Sequence, residues 1–351
     1  MSIDLVSKLL ILNVTWTLTT STEAPDFDPS SRDASLAGAT AGNFIKHVPW
    51  VTDLMKALPD AISARLSPVY YTFIAQQRES MAQVMKIKKG ENDQWKDREH
   101  PTIFHSVLDS NLPEEEKSVD RLSQDAQMLV MAGTTTTSGV LEVVAFWLLS
   151  QPDTLKKLKD ELSAAIPNPN DVGTLPLPTL EALPYLTGVI KEGIRLSYGA
   201  ACRLQRIDPD NAIVYKDMRT SKEYVIPAGT PVGASAVQIH HNEDIYPDSK
   251  KFRPERWLGE KGRQLERYLI SFNMGHRKCF GIHLAYGELY LAVSALWRLW
   301  GSGGDGGIRG SDDLGVLTLF KTSLRDVEIE SDYFAPMPQK GSQGIRVLVH
   351  G

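Results

Sequence analysis

The stretch Phe272-Asn-Met-Gly275-His-Arg277-Lys-Cys279-Phe-Gly281 holds the residues best able to do chemistry. Its glycines let the backbone take positive φ or approach a flat ligand closely. The apolar helical run 282–300 begins just after it. A cysteine at that point meets the positive end of the helix dipole, and Arg277 and Lys278 act in the same sense, so the thiolate is favoured. A thiolate in an aromatic, glycine-lined loop is a natural axial ligand for haem iron, tuned by the backbone N–H groups around the sulfur. Arg277 is suited to hold a propionate in a charge-assisted pair.

Other readings of Cys279 exist. A lone cysteine is most often a small buried hydrophobe. Zinc would use Cys279 and His283, but no second ligand pair is in view. A phosphatase nucleophile needs an arginine after the cysteine, and Ala285 and Tyr286 stand there. A cysteine-dependent hydrolase would draw on His276 as base.

The elements that must position this loop read as mainly α with small β-sheets. The 351 residues suffice for one large domain. A net charge of −5 gives no attraction to nucleic acid. Two cysteines, Cys202 and Cys279, make no disulfide framework and suit a reducing compartment. No stretch reads as a membrane span or a signal peptide. Residues 1–20 read as a strand or short helix, 20–34 as a loop, and Pro49 and Pro59 cut the following helical pattern. Helices are expected over 70–89, from Glu114 to about Leu149, over 152–165 and over 179–197. A charged loop is expected over 90–101. Threonines 134–137 interrupt the long helix with poor helix formers whose hydroxyls can bend the axis. Strands are expected over 213–215, 224–226, 230–232, 316–320, near Val327 and over 345–349. The Gly301–Gly315 stretch reads as a flexible surface loop.

The cysteine loop resembles the haem-binding loop of the cytochrome P-450 monooxygenases, and three further stretches agree in order. Ala132-Gly133-Thr134-Thr135-Thr136-Thr137 is similar to the family's oxygen-activation stretch, with Thr136 at the hydroxyl beside the distal face. Thr135 stands where the family usually has an acid. Glu192 and Arg195 match its E-x-x-R pair. Arg256, in Phe252-Arg-Pro-Glu-Arg256-Trp257, matches the arginine that closes a charged cluster. The general character is that of fungal secondary-metabolism members such as the trichodiene oxygenase group.

The resemblance implies a cytochrome P-450 fold lacking its N-terminal part, with residues 1–351 as a single haem-thiolate domain incomplete at that end. It implies a haem (heme) cofactor bound through Phe272, Gly275, Arg277, Cys279, Gly281 and Arg203, with Cys279 as the metal ligand. Thr136 is the implied catalytic hydroxyl. Glu192, Arg195 and Arg256 form the structural cluster. The implied reaction inserts one atom of O2 into an apolar small molecule, with electrons from an NADPH-cytochrome reductase. The family's setting is the cytosolic face of the endoplasmic reticulum membrane, although this chain shows no anchor. A non-catalytic remnant of such an enzyme is the alternative.

Overall fold

Prolines and capping side chains set the helix boundaries in the computed structural model, which describes residues 47–91, 102–304 and 306–351, together with 38, 42 and 45. The readings over residues 1–34, and most of the charged loop over 90–101, lie outside the described residues. Helix α1, Trp50–Ala57, is separated from α2, Asp60–Leu66, by Pro59. Helix α3 spans Pro68–Lys88 and α4 spans Ile103–Leu108. Helix α5, Val119–Ser150, starts at Ser118, whose hydroxyl accepts from Arg121 N–H. The preceding 114–117 stretch, expected as the helix start, forms turns instead. Helix α6 is Pro152–Ala165, as expected. The single helix expected over 179–197 is two, α7 Leu177–Glu181 and α8 Pro184–Ser197. Pro184 has no N–H to continue a ladder and suits the first position of a new helix.

Helix α5 stays helical straight through its threonines. Thr136 donates to Ala132 O at 2.8 Å, one turn back, without breaking the ladder. Packing overrides propensity here: α5 lies against α3, α6, α8 and helix α11, Ile282–Leu299. By length and composition alone α5 is long and apolar enough to cross a membrane, a feature the sequence reading passed over. Its neighbours identify it as a core helix of the fold.

The main core is formed by four helices. Val140, Val144 and Leu148 of α5, Leu155, Leu158 and Leu162 of α6, Leu186, Val189 and Ile190 of α8, and Leu289, Val293 and Trp297 of α11 are all buried. Helices α5 and α8 pack closely at Gly193, where an added Cβ would lie 2.4 Å from Val144 Cγ2.

The strands form three small sheets. Strands β1, Ile213–Lys216, and β2, Glu223–Ile226, pair antiparallel. Residues 230–232 contribute only a bridge between Val232 and Arg206. Helices α9, Ala236–His240, and α10, Gly259–Leu265, flank an irregular region that ends in a 3₁₀ turn at Pro254–Trp257 and then α10. Strand β3, Trp300–Ser302, pairs parallel with β4, Gly315–Leu319, and β4 pairs antiparallel with β7, Val347–His350. Strands β5, Ser331–Tyr333, and β6, Ala335–Met337, form a hairpin, while the strand expected near Val327 is a 3₁₀ turn at Leu324–Asp326.

The glycine-rich 301–315 stretch is not a free surface loop. Its ends are the buried strand β3 and the start of β4, and the Asp313 side chain, 1 % exposed, pairs with Lys159 of α6 at 2.7 Å. The Lys159 ammonium also donates to Trp297 O and Trp300 O, both at 3.0 Å, where α11 ends. Burial lowers the Lys159 pKa, and the bond to Asp313 opposes that shift.

Candidate functional site

The cysteine loop is built on two left-handed residues. Asn273 has φ 58° and Gly275 has φ 70°; asparagine and glycine tolerate that region best. The Asn273 side chain accepts from Met274 N–H at 2.8 Å, and a 3₁₀ turn over Gly275–Arg277 follows. Cys279 N–H donates to Phe272 O at 2.8 Å and closes the loop. The Phe272 ring lies 5.4 Å from that of Tyr286 on α11. Tyr286 in turn lies near Tyr290, whose hydroxyl meets Thr187 of α8 at 2.8 Å. The loop is thus anchored to α11 by Phe272, while residues 274–280, Cys279 among them, are exposed. Cys279 lies three positions ahead of α11, whose N-cap is Gly281.

Behind the loop lies the charged cluster. The Glu192 carboxylate, fully buried, accepts five hydrogen bonds: from Arg195 Nε at 2.9 Å and Nη2 at 2.8 Å, Arg256 Nε at 3.0 Å, Arg253 N–H at 2.9 Å and Trp257 Nε1 at 2.9 Å. Arg195 also donates to His240 O at 2.8 Å and Lys251 O at 3.3 Å, and lies over the Tyr246 ring. Arg256 donates to Pro247 O and Asp248 O. A buried ion pair needs such extra donors and acceptors to offset desolvation. His240 extends the network: its Nδ1 meets Arg195 O at 2.8 Å, and its Nε2 accepts from Ile270 N–H at 3.2 Å. Those contacts require a neutral imidazole carrying its proton on Nδ1, and burial pushes its pKa down to about 4. Ser271 Oγ then donates to Ile194 O at 2.8 Å. The cluster therefore ties α8 directly to the residues that lead into the cysteine loop.

The residues brought together are Glu192, Arg195 and Arg256 in one network, and Phe272, Gly275, Arg277, Cys279 and Gly281 in one loop. Thr136 sits on α5, a helix that packs against the α11 carrying that loop. Arg203 is exposed in the segment after α8. Sequence reasoning missed Trp257 and His240 as members of the cluster. It also missed Glu288 on α11, against Thr137 of α5. Glu288 Oε1 is buried with no hydrogen-bond partner among the described residues. Burial pushes its pKa up to about 7, with the Thr137 hydrogen bond acting in the opposite sense. A signal for it existed, because Glu288 is the only acidic residue of α11.

The fold family suggested by the sequence implies a haem, and the residues present fit one. The donor set is a single exposed thiol, the soft ligand that haem-thiolate iron takes. At Gly275 and Gly281 an added Cβ would meet nothing within 4 Å, so an open face lies beside the sulfur-bearing residue. The exposed Arg277 and Arg203 make no ion pair with a described carboxylate, which leaves both guanidinium groups available to acidic groups of a ligand.

The fold is mainly helical and joins an arginine-clamped glutamate to a glycine-flanked cysteine loop. The cytochrome P-450 family model matches residues 38–299, and the chain belongs to that family. It is similar to cytochrome P-450 monooxygenase tpcC of Cochliobolus heterostrophus, 46 % identical over 93 % of this chain and 61 % of the relative. It is also similar to cytochrome P-450 monooxygenase astB of Talaromyces wortmannii, 44 % identical over 84 % of this chain and 59 % of the relative. The chain thus spans about three-fifths of the length of these curated relatives. A crystal structure of a cytochrome P-450 superposes with a TM-score of 0.61 at 19 % identity, over 81 % of this chain and 58 % of that one. That likeness shows the fold.

Proposed function

We propose that this chain is the haem-thiolate part of a monooxygenase of fungal secondary metabolism, in which Cys279 would hold the iron. The observation that supports this most is the placement of Cys279. Its backbone is fixed to Phe272 O at 2.8 Å while its side chain is exposed ahead of α11. The haem, when bound, supplies oxygen activation and the transfer of one oxygen atom to an apolar small molecule.

The chain's own groups do the rest. Cys279 offers its sulfur to the iron. Arg277 and Arg203 would hold the propionates in charge-assisted pairs. Phe272 packs the loop onto α11 through Tyr286. Thr136 holds a proton that it now shares with Ala132 O; turning its hydroxyl away from that carbonyl would make it a donor to oxygen. The Glu192 cluster keeps α8 and the loop in register. Electrons come from an NADPH-cytochrome reductase, and the protein works at the cytosolic face of the endoplasmic reticulum.

The test is haem reconstitution of the wild-type chain and of Cys279→Ser. The reduced, carbon-monoxide-bound wild type is expected to show a thiolate-type absorption band, and the variant is expected to lose it. The same band in both proteins would remove Cys279 from the assignment. Turnover with NADPH and reductase then tests the activity itself.

A further inference from the structure

A cavity of about 220 Å³ opens away from the cysteine loop, between α5, the end of α8, α9 and the 324–329 segment. Neither the 272–281 loop nor threonines 134–137 line it. Trp147 and aliphatic side chains make its apolar walls, and Tyr198, His241, Lys250 and Glu328 supply the polar groups. It is smaller than the roughly 300–1,000 Å³ of sites for drug-sized ligands, which limits the occupant to a small molecule.

One wall is built at a conformational cost. Tyr198, the residue that ends α8, has φ 62°, a region that bulky side chains avoid. Strain of this kind persists where the surroundings fix it, and it collects at binding and catalytic positions. Gly199 follows at φ 68°, and a Cβ there would meet Ser271 O at 2.5 Å, so the turn is fixed on both sides. The Tyr198 hydroxyl meets His241 Nε2 at 2.6 Å, His241 Nδ1 meets Ser249 Oγ at 3.2 Å, and Ser249 Oγ donates to Glu243 Oε1 at 2.7 Å. A carboxylate only accepts, so the polarity of the chain is set from its Glu243 end. Ser249 gives its proton to Glu243, His241 gives Nδ1–H to Ser249, and Nε2 takes the Tyr198 proton. The Tyr198 oxygen is left as an acceptor. Burial and the nearby Arg195 charge lower the His241 pKa, which keeps the imidazole neutral as this polarity requires.

The charged groups of the cavity are not spent on one another. Lys250 acts electrostatically on His241 and Glu328 on Tyr198. Neither makes an ion pair with a described residue. A cation and an anion unpaired among the described residues, with a committed acceptor, thus surround an apolar space that contains an indole.

We propose that this cavity binds a small zwitterion with a flat apolar side chain, its carboxylate on Lys250, its ammonium toward Glu328 and the Tyr198 oxygen, and its side chain against Trp147. The probe is L-phenylalanine, titrated into the full chain by calorimetry, with 3-phenylpropionate and phenethylamine as ligands that each lack one charge. Saturable binding of L-phenylalanine is expected, and weaker binding of both controls. Lys250→Met and Glu328→Gln should each weaken it at least roughly threefold, because both groups are exposed. Tyr198→Phe, which removes a buried acceptor, should weaken it roughly tenfold. Cys279→Ser should bind like wild type. Circular dichroism verifies that each variant folds, and the two exposed charges keep the test open if Tyr198→Phe does not. Absence of saturable binding up to the solubility limit of L-phenylalanine overturns the proposal. So does unchanged affinity in both rim-charge variants, or loss of binding in folded Cys279→Ser, which would move the ligand to the cysteine loop.

Discussion

Glu192→Ala removes one carboxylate and orphans four groups. Arg195, with 0 % of its side chain exposed, keeps two carbonyl acceptors but has no counter-charge. Arg256, 6 % exposed at the side chain, loses its only anionic partner among the described residues. Removing one partner of a buried ion pair costs about 3–5 kcal/mol. The Trp257 indole and Arg253 backbone N–H groups are left unsatisfied as well, at about 1–3 kcal/mol each. These groups share one network, so the terms do not simply add. The pair term alone sets a floor of about 3 kcal/mol, a large part of a typical net stability of about 5–15 kcal/mol. The assay is equilibrium unfolding in urea, followed by tryptophan fluorescence and by circular dichroism, with an unchanged m-value showing that the midpoint shift is a stability change. The matched control is Lys191→Ala, one position earlier on α8. Lys191 pairs with a half-exposed Glu266, and its loss is expected to cost under about 1 kcal/mol. A Glu192→Ala loss of under about 1 kcal/mol would refute the reasoning, because Arg195 would then have to find solvent or another anion.

Two further substitutions test the packing of α11 and α8 on α5. The Glu288 carboxyl, at 4.5 in its ordinary state, is pushed up to about 7 by burial, so the fold favours its protonated form. It therefore contributes most below about pH 4.5, and that contribution is lost as the pH rises through 7. The change is at most about 3 kcal/mol, less what partial exposure screens. Glu288→Gln should flatten this fall between pH 5 and pH 8 and be the more stable protein at pH 8; parallel pH profiles for the two proteins would refute it. Gly193→Ala pushes a methyl into Val144 Cγ2 at 2.4 Å and should cost about 1–3 kcal/mol by overpacking. A thermal melt within a degree of wild type would show that α5 and α8 part freely.

Much of the site could be read from residue spacing. Glu192 and Arg195, three apart, meet on one helix face as the spacing suggests, and Cys279 lies just ahead of a helix. Trp257 could not be read as a partner of Glu192, because its indole N–H reaches the carboxylate only after the chain folds back from 65 residues away. Helix α5 kept its continuity against the poor propensity of its threonines because its neighbours, not its own backbone, hold it. The 301–315 stretch misled for the opposite reason. Glycine and aspartate look like surface composition, and the burial of Asp313 is imposed by a lysine 154 positions earlier. Glu288 carried a legible signal, a lone acid on an apolar helix, but its consequence depends on which side of α5 it faces.

The Lys159 contact has a consequence for the order in which the protein is made. Synthesis proceeds from the N-terminus and lets early segments fold first. Helices α5, α6 and α8 are complete at residue 197, yet the two carbonyls that receive Lys159 belong to residues 297 and 300, and its counter-charge to residue 313. Until those residues leave the ribosome, the Lys159 ammonium has none of these partners, and closing the core around it would bury an uncompensated charge. The nascent chain is therefore kept from sealing the α6 face early. That face closes only when α11 and the glycine-rich stretch arrive, and the same stretch that delivers Asp313 follows the cysteine loop in the chain.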